Sequence, residues 1–273
     1  IVASSGNACT PSWGNAYTLD DANAKLDFDR RVARFKQQEG TIAISFGGAL
    51  NSELAITCTD TEKLKNAYEE VIRRYSVDTL DFDIEGDALK QTESIKRRAI
   101  VISELQKSLR AQNKKLAVWV TLPVTPQGLS EDGTRAVAEM LTNKVDLAGV
   151  NVMTMDYGNS RDKKYTMQLA SEQALNETHR QLGIIFKQAG INLNEASIWA
   201  KIGATPMIGQ NDIADEIFTL QDAKGLNEFV ISKRIARLSI WSANRDIQCG
   251  ENYVNTSIVS DSCSGIKQEK NHF

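Results

Sequence analysis

The sequence predicts an α/β fold, a (β/α)8 barrel whose first strand is missing from the given chain. Three observations carry that reading. Strand-like and helix-like segments alternate along all 273 residues, the order that builds a parallel sheet covered by helices. The strands are mostly continuous apolar runs, as expected when both faces are buried. Polar residues gather at or just beyond the strand ends: Ser45, Glu85, Gln127, Asp156, Tyr157 and Trp241. In a barrel those ends form the face on which active sites are built.

The elements follow in order. Residues 1–3 read as a strand already under way, the second of the barrel, with the first strand and its helix lying before the given sequence. A Gly/Ser/Asn-rich stretch around Trp13 reads as a loop, and residues 27–38 as a helix rich in Arg and Lys. Residues 41–46 form a strand closed by Gly47-Gly48, and a helix capped by Asp60 runs to about Tyr75. Residues 79–85 are a strand, 94–112 a long amphipathic helix, and 115–122 a strand stopped by Pro123. Then come a helix over 134–143, an apolar strand over 147–155, and a helix over 167–189 that ends at Gly190. A strand over 196–204, a helix over 220–233 and a strand over 237–242 complete the pattern. Seven strands are found where a closed barrel has eight, so an open doubly wound sheet is the alternative architecture. No linker, repeat or GxGxxG turn divides the chain. It reads as one domain over 1–273, with 245–273 as a C-terminal tail segment.

The strand over 79–85 is the most informative segment. Asp81, Asp83 and Glu85 alternate with Leu80, Phe82 and Ile84, so the three acids share one face and the apolar residues the other. Neighbours at i and i+2 stand roughly 6.5–7 Å apart on a strand. Like charges at that spacing, partly desolvated, raise one another's pKa. That is what an enzyme needs to keep a carboxylic acid protonated near neutral pH as a proton donor. A solvated edge strand and a hard-cation site are the competing readings of the same residues.

Composition narrows the classes. Charged residues make up 25% and apolar ones 41%, with a net charge of −3 and no basic stripe, which excludes the usual footprint of a nucleic-acid binder. No apolar run reaches the length of a membrane span, and the first residues lack the pattern of a signal peptide. Cys9, Cys58, Cys249 and Cys263 form no CxxC pair, and only His179 and His272 stand beside them, so a zinc site is not expected. An even cysteine count allows two disulfides and an oxidising compartment. Cys249 and Cys263 flank a short polar segment and are the expected pair, whereas Cys9 and Cys58 read equally well as free thiols. Sequons at Asn176 and Asn255 are as many as chance supplies.

On these residues the chain resembles the family 18 glycoside hydrolases, the chitinases and related endo-N-acetylglucosaminidases. Asp78-Thr-Leu-Asp81-Phe-Asp83-Ile-Glu85 looks like the family's DGxDxDxE, with Thr79 in place of the usual Gly. Ser45-Phe-Gly47-Gly48 is similar to its SxGG, Asn151-Val-Met153-Thr-Met155-Asp156-Tyr157 to its strand-six motif, and Ser239-Ile-Trp241-Ser to its strand-eight tryptophan. The wording of Leu122-Pro-Val-Thr-Pro126 and of Ala204-Thr-Pro-Met-Ile-Gly209 is closest to the bacterial and archaeal Pyrococcus-type members.

The resemblance implies a TIM barrel and a secreted, monomeric chitinase without a cofactor, acting on chitin or N-acetylglucosamine oligosaccharides, with separate carbohydrate-binding modules as an option. It implies no nucleic-acid and no membrane partner. Glu85 would be the general acid and then the base, and Asp83 would hold the substrate's acetamido N–H. Asp81 would share a proton with Asp83. The acetamido carbonyl, not a protein side chain, would attack the anomeric carbon. Ser45, Met153, Asp156, Tyr157, Gln127 and Trp241 would line the substrate, Trp241 as the floor under a sugar ring. The family's strand-six tyrosine position holds Met155 here. An endo-N-acetylglucosaminidase of the same family and an inactive sugar-binding barrel are the alternatives. Trp119 and Trp199 read as packing residues, and His179 as a surface residue.

Overall fold

A computed structural model describes the chain except for residues 5, 252 and 254–258, so the sequon at Asn255 lies outside the described residues. The chain packs as two compact units, residues 1–121 with 135–148, and residues 122–134 with 149–273.

In the first unit, β1 (Val2–Ser4), β2 (Asn7–Trp13) and β3 (Tyr17–Thr18) form a small antiparallel sheet. Trp13 therefore stands on a strand, not in a loop. Its indole N–H donates to the Tyr75 hydroxyl at 3.0 Å, and its ring meets Phe28 edge-on, with centroids 4.7 Å apart. Such aromatic pairs add roughly 0.5–1.5 kcal/mol beyond area burial, so Trp13 is a packing anchor. The helix expected over 27–38 is preceded by a second one: α1 (Leu19–Leu26) and α2 (Phe28–Gln37) meet at Asp27, whose φ is 53°.

The parallel strands of this unit are β4 (Ile44–Gly47), β5 (Thr79–Asp83) and β6 (Ala117–Thr125), with β5 between the other two. Ile1 lies along the other side of β4. Ile1 N donates to the Ser45 carbonyl at 2.5 Å and the Ile1 carbonyl accepts from Gly47 N at 2.8 Å, the slanted pattern of a parallel pair. Val2 then leaves for the antiparallel sheet, so only Ile1 fills the place expected for residues 1–3.

The helices α3 (Leu54–Thr57), α4 (Thr61–Tyr75), α5 (Thr92–Ala111) and the larger part of α6 (Glu131–Thr142), from residue 135 on, complete the unit. Asp60 caps α4, its carboxylate accepting from Lys63 N at 3.0 Å. Leu64, Ala67, Tyr68, Val71 and Tyr75 then recur at helical spacing and are all buried. A disulfide joins Cys9 on β2 to Cys58 at the end of α3.

In the second unit, β6 continues beyond Pro123 to Thr125 and turns back into β7 (Gly128–Leu129). The stop expected at Pro123 is not made. The proline falls between the ladder to β5, which ends at Thr121, and the hairpin, which starts at Val124. β8 (Leu147–Met153), β9 (Ile202–Thr205) and β12 (Arg237–Leu238) run parallel, with β9 central. α7 (Met167–Gln188) ends as expected before Gly190, which takes a φ of 79°.

The strand expected over 196–204 is half helix: α8 (Glu195–Trp199) precedes β9. Asn194 accepts from Ser197 N at 2.8 Å, an N-cap that outweighs the apolar run after it. β10 (Gly209–Gln210) and β11 (Ile217–Phe218) form a hairpin, and α9 (Leu220–Lys233) opens with a capping box between Thr219 and Asp222.

His179 is not on the surface. It is 9% exposed, stacks on Trp199 with centroids 4.1 Å apart, and lies 3.1 Å from the Glu195 carbonyl. The tail is tied down. Cys249 and Cys263 are bonded as expected, and the fully buried Arg245 donates to the carbonyls of Ile208 and Gln210 at 3.0 and 2.6 Å. Asp246 Oδ1 accepts the N–H groups of His272 and Phe273.

Candidate active site

The three acids stand where the alternation of residues 79–85 puts them. Ile84 N still bonds the Thr121 carbonyl at 3.0 Å and Glu85 keeps extended dihedrals, so the period of two survives past the end of β5. Exposure rises along the row: Asp81 is 8% exposed, and Asp83 and Glu85 are half-buried.

Asp81 is held from both neighbouring strands. Ser45 Oγ on β4 donates to its Oδ2 at 2.6 Å, and Thr121 Oγ1 on β6 donates to its Oδ1 at 2.7 Å. Two hydroxyl donors stabilise the charged carboxylate at the foot of the row.

Asp83 and Glu85 stand one strand step apart with their carboxyl groups near enough to shift each other's pKa. Burial, then the charges of Glu85 and Asp81, push Asp83 up to about 8. Burial also raises Glu85, against the lowering effect of Asp83. Asp83 Oδ1 is buried and has no hydrogen-bond partner among the described residues. Both shifts favour the protonated form, and Asp83 Oδ1 leaves one acceptor for a donor brought from outside.

A cavity of about 410 Å³ opens beside Asp83 and Glu85, walled by the loop from Gly47 to Glu53 and by the turn from Gly86 to Gln91. Gly47 cannot carry a side chain. Its φ is 107°, and a Cβ there would lie 2.0 Å from the Asp83 carbonyl oxygen. The glycine lets β4 and β5 close tightly under the cavity, and Gly48 N bonds the same carbonyl at 3.0 Å.

The other expected site residues lie in the second unit. Met153 ends β8, half-buried, opposite Thr205, and Met155 follows it, half-buried as well. Trp241 is 51% exposed, with its backbone bonded to Pro206 and Ile208 and a cis peptide bond to Ser242. Gln127 is exposed on the β6–β7 turn, with its side-chain amide donating to the Ser160 carbonyl at 3.3 Å.

Two expectations need correction. Tyr157 is not a ligand group: it is 5% exposed and its hydroxyl lies 3.2 Å from Ser171 Oγ. The chain leaves the strand before it, so its ring falls into the core. Asp156 serves the fold at least as directly as any substrate. Its φ is 50°, and its Oδ1 accepts the N–H groups of Asp212 and Ile213 at 2.8 and 3.3 Å. Burial, then the charge of Asp212, raises its pKa.

The sequence reading missed Thr121 and Glu216. Thr121 had a signal, a lone hydroxyl within the apolar run Val118-Trp-Val-Thr-Leu122. Glu216 had none. It is 1% exposed and accepts from Tyr157 N and Gly158 N at 2.9 and 2.8 Å, holding the turn after β8.

A row of acids with raised pKa at the end of a parallel strand, beside a glycine-closed turn, is suited to acid–base chemistry. The family model for the glycosyl hydrolases family 18 matches residues 14–206, and the chain belongs to that family. It is 33% identical over 258 residues to a probable bifunctional chitinase/lysozyme of Escherichia coli K12, covering 92% of this chain and 28% of that protein. It is 33% identical over 223 residues to Endochitinase 11 of Metarhizium anisopliae, covering 80% of this chain and 42% of that one. The chain thus spans well under half the length of these relatives.

Among solved structures, it resembles the catalytic domain of a hyperthermophilic chitinase from Pyrococcus furiosus, with TM-score 0.81 and 29% identity over 99% of this chain and 80% of that one. Active domain 2 of that organism's thermostable chitinase, crystallised as catalytic-site mutants with chito-oligosaccharides, gives TM-score 0.82 and 29% identity over the same shares. The fold is therefore the α/β barrel of this family, as the sequence predicts. Trp241 lies beyond the segment that the family model matches.

Proposed function

We propose that this chain is a chitinase, cleaving β-1,4 bonds between N-acetylglucosamine units with retention and with the substrate's acetamido group as nucleophile. One observation carries the reading: Asp83, its pKa raised to about 8, and the half-buried Glu85 line one open cavity at the end of the acid row. Glu85, protonated, gives its proton to the glycosidic oxygen as that bond breaks. The acetamido carbonyl oxygen attacks the anomeric carbon and closes an oxazolinium ring. With the pair's proton on Glu85, Asp83 is a carboxylate: it accepts a hydrogen bond from the acetamido N–H and stabilises the cation. Water then opens the ring, with Glu85 receiving its proton, and two inversions leave the original configuration.

Asp81 stays fixed by Ser45 and Thr121 and keeps a charge behind Asp83. Trp241 offers an indole face to the apolar side of a pyranose. The relatives named chitinase support the substrate class. Two disulfides fit a secreted protein working in an oxidising setting.

Incubation with N-acetylglucosamine hexamer, with products resolved by mass, tests the reading. Shorter N-acetylglucosamine oligomers are expected. No cleavage of the hexamer, with cleavage of peptidoglycan or an N-glycan core instead, would move the assignment to another member activity of the family.

A further inference from the structure

Behind the acid row lies a second set of polar residues that the chemistry above does not use. Arg98 on α5 is fully buried, and Glu53, at the entrance to α3, is 3% exposed. Arg98 donates from Nε and Nη2 to Glu53 Oε2 at 3.2 and 2.6 Å. The Tyr68 hydroxyl donates to Glu53 Oε1 at 2.6 Å, and Ala55 N donates to Oε2 at 2.8 Å. One carboxylate thus ties together α3, α4 and α5.

The same residues grip the catalytic strands. Phe46 on β4 and Phe82 on β5 are register partners, stacked with centroids 5.6 Å apart and planes 19° apart. The Tyr68 ring packs edge-on against both, at 4.9 and 5.5 Å. The Arg98 guanidinium sits 5.8 Å from the centre of the Phe82 ring. Phe46 lies between Ser45 and Gly47, and Phe82 between Asp81 and Asp83. On a strand, a side chain fixed on one face fixes its neighbours on the other. Glu53 is also the last residue of the loop that walls the cavity.

A buried ion pair is a poor device for stability alone, since well-packed apolar residues of the same volume often do as well or better. What this one supplies is geometry: four directed bonds on one carboxylate, joined to two rings on the back of the acid row.

We propose that Glu53, Arg98 and Tyr68 form a positioning set that fixes β4 and β5 from behind and so holds Asp83 and Glu85 in register for proton transfer. The inference rests on the reading of Glu85 as the proton donor. Tyr68 and Arg98 are fully buried and do not line the cavity, and both Glu53 oxygens are already bonded.

Tyr68→Phe is the test in the full chain, because it keeps the ring and removes only the bond to Glu53. Per folded molecule, kcat on the hexamer is expected to fall about 10-fold with KM within about twofold, as for a small misplacement of reacting groups. A lower melting temperature with unchanged kcat per folded molecule would make the set merely structural and overturn the proposal.

Glu53→Gln leaves the Arg98 charge unpaired and is expected to destabilise. Adding Arg98→Met removes that charge and should restore the melting temperature without restoring kcat. Recovery of wild-type kcat in the double variant would also overturn it.

A readout independent of turnover is the carboxyl ¹³C titration of Asp83. The charged groups acting on it from its own strand are Glu85 and Asp81. In Tyr68→Phe, a loosened strand admits water, and the midpoint is expected to drop by about half a unit or more. An unchanged midpoint contradicts positioning even if the wild type proves inactive on chitin, so failure of the inference and failure of the functional reading are separable.

Discussion

Ser45 Oγ donates to Asp81 Oδ2 at 2.6 Å, from the strand beside it, and Thr121 completes the clamp from the other side at 2.7 Å. Asp81 is therefore a fixed carboxylate at the base of the row, and its charge is one of the causes that raise Asp83.

Removing one clamp should weaken catalysis more than binding. Thr121→Val keeps the shape and deletes the hydroxyl. Hydrogen bonds to a charged group contribute roughly 1.5–3 kcal/mol, so a loss of about 10-fold or more in kcat is expected. Steady-state kinetics with the hexamer check this. A raised KM with unchanged kcat would instead make Asp81 a binding contact.

Glu85→Gln keeps the side-chain volume and removes the proton. General acid catalysis contributes about 10²–10⁴-fold, so kcat should fall by at least about 100-fold. Oligosaccharide affinity by calorimetry should stay within a few-fold of wild type. Retention of more than a tenth of wild-type kcat would rule out Glu85 as the donor.

The pH dependence of stability has a definite sign. Asp83 is raised to about 8 in the folded chain. An unfolded aspartate titrates near 3.9. Between these values the native state binds the extra proton, so stability falls as pH rises, by at most about 1.4 kcal/mol per pH unit. The contribution is fully present below about pH 4 and is lost as pH rises through 8. Asp83→Asn should therefore stabilise relative to wild type at pH 8 and have little effect at pH 4. Thermal melts at the two pH values measure it, and a gain confined to pH 4 would contradict the shift.

The Cys249–Cys263 bond closes a short loop, at a sequence separation of 14. In the chain-entropy model a loop of about 15 residues is stabilised by roughly 3 kcal/mol. Cys263→Ser should lower the melting temperature without changing kcat at a temperature where the chain stays folded. Non-reducing peptide mapping that finds both thiols free would remove the basis for this.

The acid row was legible because a period of two is simple: residues 81, 83 and 85 share a face whatever surrounds them. The parallel strands were legible for a related reason, since buried strands read as apolar runs. β2 was not, because Asn7-Ala-Cys-Thr-Pro-Ser-Trp13 neither alternates nor runs apolar. Pairing to the neighbouring β1 and a disulfide from Cys9 to Cys58 hold it instead, and the disulfide partner lies 49 residues away in sequence. α8 hid behind an apolar stretch, although Asn194 three residues before Ser197 was a readable cap. Tyr157 and Asp156 were misplaced because Asp156 takes a left-handed dihedral, which breaks the alternation carried forward from β8. The Glu53–Arg98 pair joins residues 45 apart, and nothing in a pattern of periods points to it.

Initial product stereochemistry tests the central claim most directly. ¹H NMR of the anomeric protons during the first minutes of hexamer hydrolysis should show the β-anomer first, with the α-anomer growing in by mutarotation. A cellulose hexamer, which has a hydroxyl where chitin has the acetamido group, should not react. Initial release of the α-anomer, or cellulose turnover comparable to that of chitin, would contradict a substrate-assisted mechanism.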